Sequence, residues 1–250
     1  MLRIKALHDT VEAHREELRA LNADLERRVA EQVSEIERIG RLRRFLAPQL
    51  AEMIVASGDD SIFQSHRREV VVLFCDLRGF TAFSEITEPE EVMAVLQAYH
   101  DAVGPIIHRH EGTLVHFVGD GLMVLFNDPI PCPEPALRAV RLAVEMREAV
   151  TGLAMEWRRR GHEIGFGVGI AQGYATLGRV GFKDHAEYTA MGTVTNLAAR
   201  LCDAARDGQV FISQRVAAAV DRAASLEEIG DLSLKGITRS GAVYQVVGVH

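Results

Sequence analysis

The stretch EVVVLFCDLRGFT, residues 69–81, decides how this chain folds. Its β-branched and aliphatic run from Glu69 to Cys75 reads as a short buried strand. Asp76 follows, and Leu77-Arg78-Gly79-Phe80-Thr81 reads as a strand-to-helix turn. Downstream, Thr87 ahead of Pro89, Glu90 and Glu91 predicts a helix capped by Thr87, running to about His110 and kinked at Pro105. Thr113–Val118 and Leu122–Phe126 read as strands around Gly119-Asp120-Gly121, a hairpin. A second helix covers roughly Pro135–Arg160 and ends at Gly161. Glu163–Ile170 reads as a strand, Gly173–Tyr188 as an irregular extension, and Thr193–Ala205 as a helix. Val210–Ser213 is a strand, Ser213 caps a short helix to about Ala224, and late strands fall near Leu226–Leu234 and Ala242–Val249. This order predicts an α+β, ferredoxin-like βαββαβ sandwich, with helices on one face of a largely antiparallel sheet.

Upstream of the first strand the composition changes. Between Leu2 and Phe45 there is no proline and only one glycine, Gly40. Leu7, Val11, Leu18, Leu21 and Leu25 follow the spacing of a coiled-coil seam. The stripe shifts by one position at Val29, Val33 and Ile36 and returns at Ile39, Leu42 and Leu46. The segment reads either as a dimerisation stalk or as a signalling helix with two registers that relays a twist. Pro48 and Ser57-Gly58-Asp59-Asp60-Ser61 mark a linker. The expected division is therefore a coiled-coil helix over 1–46, a linker over 47–66 and one α+β domain over 67–250.

The 250 residues are 48% hydrophobic and 25% charged, which excludes a disordered chain. No apolar run is long enough to span a bilayer, and MLRIKALHDT lacks the pattern of a signal peptide. Three cysteines without metal-ligand spacing fit a reducing, cytoplasmic setting better than a disulfide framework. A net charge of −7 argues against nucleic acid as the partner.

Asp76, at a strand end beside a glycine turn, either caps the next helix or holds a cation while free N–H groups face a polyphosphate. Asp120, at a hairpin tip, is ordinary turn chemistry on its own. Together they say more, because in a split βαββ arrangement the first strand's end lies beside the adjacent hairpin tip. Two carboxylates that close repel, raising one pKa, unless a cation neutralises both. Mg²⁺ takes one or two carboxylates and fills its shell with phosphate oxygens and water, and a metal pair suits in-line attack on phosphorus. Asn196 and Arg200 project from one helix face, as an exposed polar face or as a pair acting on a ligand. Lys235, read alone, is a solvated loop lysine.

Four of these stretches resemble, in order, the motifs of class III nucleotide cyclases. Phe74-Cys75-Asp76-Leu77-Arg78-Gly79-Phe80-Thr81 is similar to their first metal motif and His116-Phe117-Val118-Gly119-Asp120-Gly121-Leu122-Met123 to their second. Gly192-Thr193-Val194-Thr195-Asn196-Leu197-Ala198-Ala199-Arg200 resembles their transition-state helix, and Leu234-Lys235-Gly236 their phosphate-binding lysine motif. The resemblance implies that Asp76, Leu77 and Asp120 hold two Mg²⁺ or Mn²⁺ ions. By the same resemblance Asn196 orients the ribose, Arg200 meets charge growing on the α-phosphate, and Lys235, Gly79, Phe80 and Thr81 contact phosphates. It further implies a homodimer with shared sites, the acidic pair of one chain facing Asn196 and Arg200 of the other. An upstream sensor would act through the coiled coil.

The family's two base-reading positions fall on His116, where lysine or glutamate is usual, and Thr189. A histidine N–H can donate to adenine N1 and a threonine oxygen can accept from N6. The expectation is an adenylate cyclase that converts ATP to 3′,5′-cyclic AMP and pyrophosphate. The alternatives are the same chemistry on GTP, with His116 donating to guanine O6, and a non-catalytic nucleotide-binding dimerisation module. Thr195, where the family usually has valine, is nearly isosteric and predicts an effect on stability more than on chemistry.

Overall fold

The computed structural model describes residues 64–182, 185–232 and 241–250, with scattered helical positions between 14 and 32. The expected coiled-coil register over 1–46, most of the linker and Lys235 lie outside the described residues. The chain divides into a unit up to Gly58 and a unit from Asp59 to His250, and the second holds all the described strands.

This unit runs β1 (His66–Arg78), α1 (Phe80–Ile86), α2 (Pro89–Arg109), β2 (Thr113–Val118), β3 (Gly121–Phe126), α3 (Pro135–Arg159) and β4 (Gly165–Phe182). It continues through β5 (His185–Met191), α4 (Thr193–Ala204), β6 (Val210–Ser213), α5 (Gln214–Val220), β7 (Ala224–Asp231) and β8 (Ala242–Val249). The sheet order is β2-β3-β1-β4-β6-β8-β7, with β5 pairing β4 off this path. Every pair is antiparallel except β4 with β6. The first four strands, ordered β2-β3-β1-β4 with α2 and α3 as connections, form the expected βαββαβ arrangement.

Side chains alternate across a strand, so each strand sorts its residues onto two faces. Val71, Leu73, Cys75 and Leu77 of β1 join Leu122, Val124 and Phe126 of β3 and Phe166, Val168 and Ile170 of β4 in one core. α1, α2, α3 and α5 cover that core with Phe83, Tyr99, Met146 and Val216 among others. Asp76 therefore points to the opposite face. There β4 presents Gly165, Gly167 and Gly169, alternating with the core residues, and α4 lies against it. A Cβ on Gly169 would sit 2.1 Å from the Cys202 backbone nitrogen and 2.3 Å from the Ala198 carbonyl oxygen. Hydrogen alone allows that approach.

Four expectations need correcting. Asp76 does not follow the strand but lies within it, because β4 pairs with β1 out to Arg78↔Gly165. The cap of α2 is Glu88, not Thr87: the residue before a proline is pushed to extended backbone, and Glu88 sits at φ −60, ψ 140 ahead of Pro89. Gly173–Tyr188 is not irregular, since it forms the second half of β4 and most of β5, a two-stranded ribbon. Gly173, Gly178 and Gly181 dilute the strand signal there. Finally, the helices are not confined to one face, as α4 packs on the glycine side.

Gly169→Ala should cost about 2–3 kcal/mol, because backbone must move to admit the methyl group. Gly152→Ala, in the exposed middle of α3 with open space where the methyl group would stand, should instead gain up to about 1 kcal/mol. Urea denaturation of both variants checks the pair.

Candidate active site

The antiparallel register of β1 on β3 places Cys75 opposite Leu122. One step further, Asp76 comes beside Gly121 and the two-residue loop Gly119-Asp120. Gly119 takes a positive φ of 65, as a tight hairpin with glycine in its first loop position requires. The Leu77 N–H donates to Asp120 Oδ2 at 3.1 Å, fastening the hairpin tip to the end of β1. The two expected acids thus meet. Burial first, then the hydrogen bond and the charge of Asp120, push Asp76 up to about 7. Arg78 opposes this only partly: its Nη1 stands 3.8 Å from Asp76 Oδ2, while its Nη2 donates to Cys202 Sγ at 3.2 Å.

A carboxylate pair with so little counter-charge fits a divalent cation. Among the described residues no group of three or more His, Cys, Asp and Glu side chains could hold a metal. The pair would therefore share its ion with ligand oxygens, as Mg²⁺ commonly does. Leu77 is buried in the core, so its backbone carbonyl is what it could offer.

Gly79 turns the chain into α1 at φ 78, and a Cβ there would lie 2.6 Å from the Glu163 carbonyl oxygen. Phe80 and Phe83 anchor the helix in the core. Phe80 and exposed Thr81 occupy its first turn, whose N–H groups have no intrahelical acceptor. Gly79, Phe80 and Thr81 therefore lie immediately beyond the acidic pair.

His116 and Thr189 come from β2 and β5. His116 Nδ1 is 3.0 Å from Glu187 Oε2, two residues before Thr189 on the ribbon. The Thr195 hydroxyl donates to the Ala190 carbonyl at 3.1 Å, so this threonine ties α4 to β5, a role that near-isostery with valine did not suggest. On α4, Asn196 is exposed and Arg200 holds Asp203 at 2.9 Å. Among the described residues, neither Asn196 nor Arg200 is bonded to Asp76 or Asp120 within this chain.

Several residues near the site escaped the reading of the sequence. Arg78 backs Asp76 because Gly167 leaves it room, a Cβ there lying 2.5 Å from Arg78 Nε. Glu187 positions His116. Asp128, just past β3, is wholly buried and takes the Tyr188 hydroxyl hydrogen, with His66 Nε2 at 2.9 Å and Arg68 Nη1 at 3.1 Å. The bond to Asp128 raises the pKa of His66, and burial raises that of Tyr188. The alternating glycines of β4 were a readable signal for Arg78; the Asp128 cluster joins residues too distant in sequence to have one.

Residues 63–248 match the model of the Adenylate and Guanylate cyclase catalytic domain family. Adenylate cyclase 1 of Rhizobium meliloti (strain 1021) is 32% identical over 208 residues, which is 82% of this chain and 31% of that protein. The chain thus spans about a third of that relative's length. The crystal structure of the adenylyl cyclase CyaB from P. aeruginosa superposes with a TM-score of 0.71 at 32% identity, covering 75% of this chain and 97% of that one. That of the guanylyl cyclase Cya2 gives 0.69 at 33% identity, covering 74% and 95%.

A proton and a metal ion compete for the acidic pair. Asp76 is protonated below about 7, so the apparent Mn²⁺ affinity should weaken about tenfold per pH unit below that point and level off above it. Asp76→Asn should lower the affinity and flatten the profile, as read by titration calorimetry.

Proposed function

This chain belongs to the adenylate and guanylate cyclase catalytic domain family, and from that premise we propose that it converts ATP to 3′,5′-cyclic AMP and pyrophosphate. The observation that carries the reading is the meeting of Asp76 with Asp120, held by the Leu77 N–H. The names of similar proteins, adenylate cyclase 1 of Rhizobium meliloti and adenylyl cyclase CyaB, support the choice of ATP.

Asp76, Asp120 and the Leu77 carbonyl would hold two Mg²⁺ or Mn²⁺ ions, which when bound lower the pKa of the ribose 3′-hydroxyl and offset triphosphate charge. The N–H groups from Gly79 to Thr81 receive phosphate oxygens, and Lys235 adds a point charge for the terminal phosphates. Asn196 orients the ribose. Arg200 leaves Asp203 to meet negative charge growing on the α-phosphate, a task suited to its planar, permanently charged fork. His116 and Thr189 read the base. Phosphoryl chemistry of this kind is mostly positioning and charge compensation, so no separate nucleophilic triad is needed.

In this reading two copies pair and each site is shared. Asn196 and Arg200 of one copy complete the acidic pair of the other, which agrees with the absence of any bond between them within one chain among the described residues. The N-terminal segment aligns the copies as a coiled coil and carries the signal of an upstream sensor, in the cytoplasm.

GTP is the second reading, with His116 donating to guanine O6, and the likeness to the guanylyl cyclase Cya2 at 33% identity favours it.

With Mn²⁺, cyclic AMP formation should exceed cyclic GTP formation, and dominant GTP turnover would reverse the base assignment. Arg200→Ala should lower kcat by about 10²-fold or more. An Asp76→Ala chain mixed with an Arg200→Ala chain should recover about a quarter of wild-type activity, since half the random dimers keep one intact site. No recovery in the mixture would end the shared-site reading.

A further inference from the structure

The β4–β5 ribbon needs something to hold it. Among the described residues β5 pairs with β4 alone, and a two-stranded ribbon is marginal by itself in water. Yet β5 carries Thr189 and, two residues earlier, the Glu187 carboxylate that holds His116 Nδ1. The pose of β5 relative to β2 therefore decides whether Thr189 and His116 can serve one base.

A buried polar anchor connects the ribbon to the sheet. The Asp128 side chain has no exposed surface and accepts the Tyr188 hydroxyl hydrogen. His66 and Arg68, from the start of β1, supply its other partners. The neighbouring Asn127 is also fixed, its Nδ2 donating to the Glu69 carbonyl at 2.9 Å and its Oδ1 accepting the Cys132 N–H at 3.4 Å. A buried carboxylate tolerates no lost donor cheaply, so the hydroxyl is held where Asp128 stands. Alternation along β5 then turns Glu187 and Thr189 to the side opposite Tyr188, and on that side Glu187 meets His116.

We infer that Tyr188 and Asp128 are positioning residues for base recognition: their buried contact sets where Thr189 stands relative to His116. Neither touches the nucleotide. The inference rests on His116 and Thr189 being the base-reading pair.

The test compares Tyr188→Phe, which deletes one oxygen, Asp128→Asn, which keeps the shape, and the double variant, all in the full chain. Hydrogen exchange over residues 187–191 should quicken in each. Binding of a fluorescent N-methylanthraniloyl ATP with Mn²⁺ should weaken about three- to tenfold, with kcat within about twofold. The ratio of kcat/KM for ATP over GTP should shift, while Mn²⁺ affinity alone stays at the wild-type value. The double variant should be no worse than the worse single one, because both changes break the same contact. Unchanged exchange would overturn the inference. So would quickened exchange with wild-type nucleotide affinity and ATP-to-GTP ratio, which is what an anchor serving stability alone would give. A wild-type chain that binds nucleotide but makes no cyclic product overturns the proposed activity and not the anchor, since exchange and binding need no turnover.

Discussion

Two carboxylates within hydrogen-bonding reach repel each other, and the core prevents this pair from separating. Cys75 and Leu77 flank Asp76 on the buried face of β1, so turning Asp76 inward would turn two core residues out. Asp120 is fastened in turn by the Leu77 N–H and by the tight loop that carries it. Arg78 is the cation at hand, and it divides itself between Asp76 and the Cys202 sulfur. The folded chain thus spends part of its hydrophobic stability holding an under-neutralised charge. The elevated pKa of Asp76 is the sign of that tension, and a divalent ion would relieve it.

The glycine face of β4 answers a different need. Phe166, Val168 and Ile170 face the core, while Gly165 faces Asp207, Gly167 faces Arg78 and Gly169 faces α4. Backbone-to-backbone packing of this kind keeps α4 close to the strand. On that helix Asn196 is exposed and Arg200 is half-buried.

The β4–β5 ribbon extends from the same strand and depends on polar anchoring. Tyr188 reaches the buried Asp128, Thr195 reaches the Ala190 carbonyl, and Glu187 reaches His116. These contacts come from the loop after β3, α4 and β2. A ribbon with one strand partner can therefore hold its place, since side chains from the rest of the domain replace the missing ladder.

Local chemistry was legible in the amino-acid order. The bounds of β2, the length of α3 and the hairpin at Gly119-Asp120 followed from turn residues and hydrophobic period, which act over a few neighbours. Asp76 and Asp120 could be paired on paper because the βαββ order itself implies adjacency of a strand end and a hairpin tip. The extent of β1, the cap of α2 and the ordered ribbon were misread, each because a partner strand or a proline outweighed local propensity. Tertiary structure alone decided the Asp128 cluster, the bond of Arg78 to Cys202 and the hold of Glu187 on His116. Those contacts span roughly sixty to over a hundred residues of chain or cross between strands that do not pair. Burial and charge there are properties of the assembled sheet, and no short window of residues contains them.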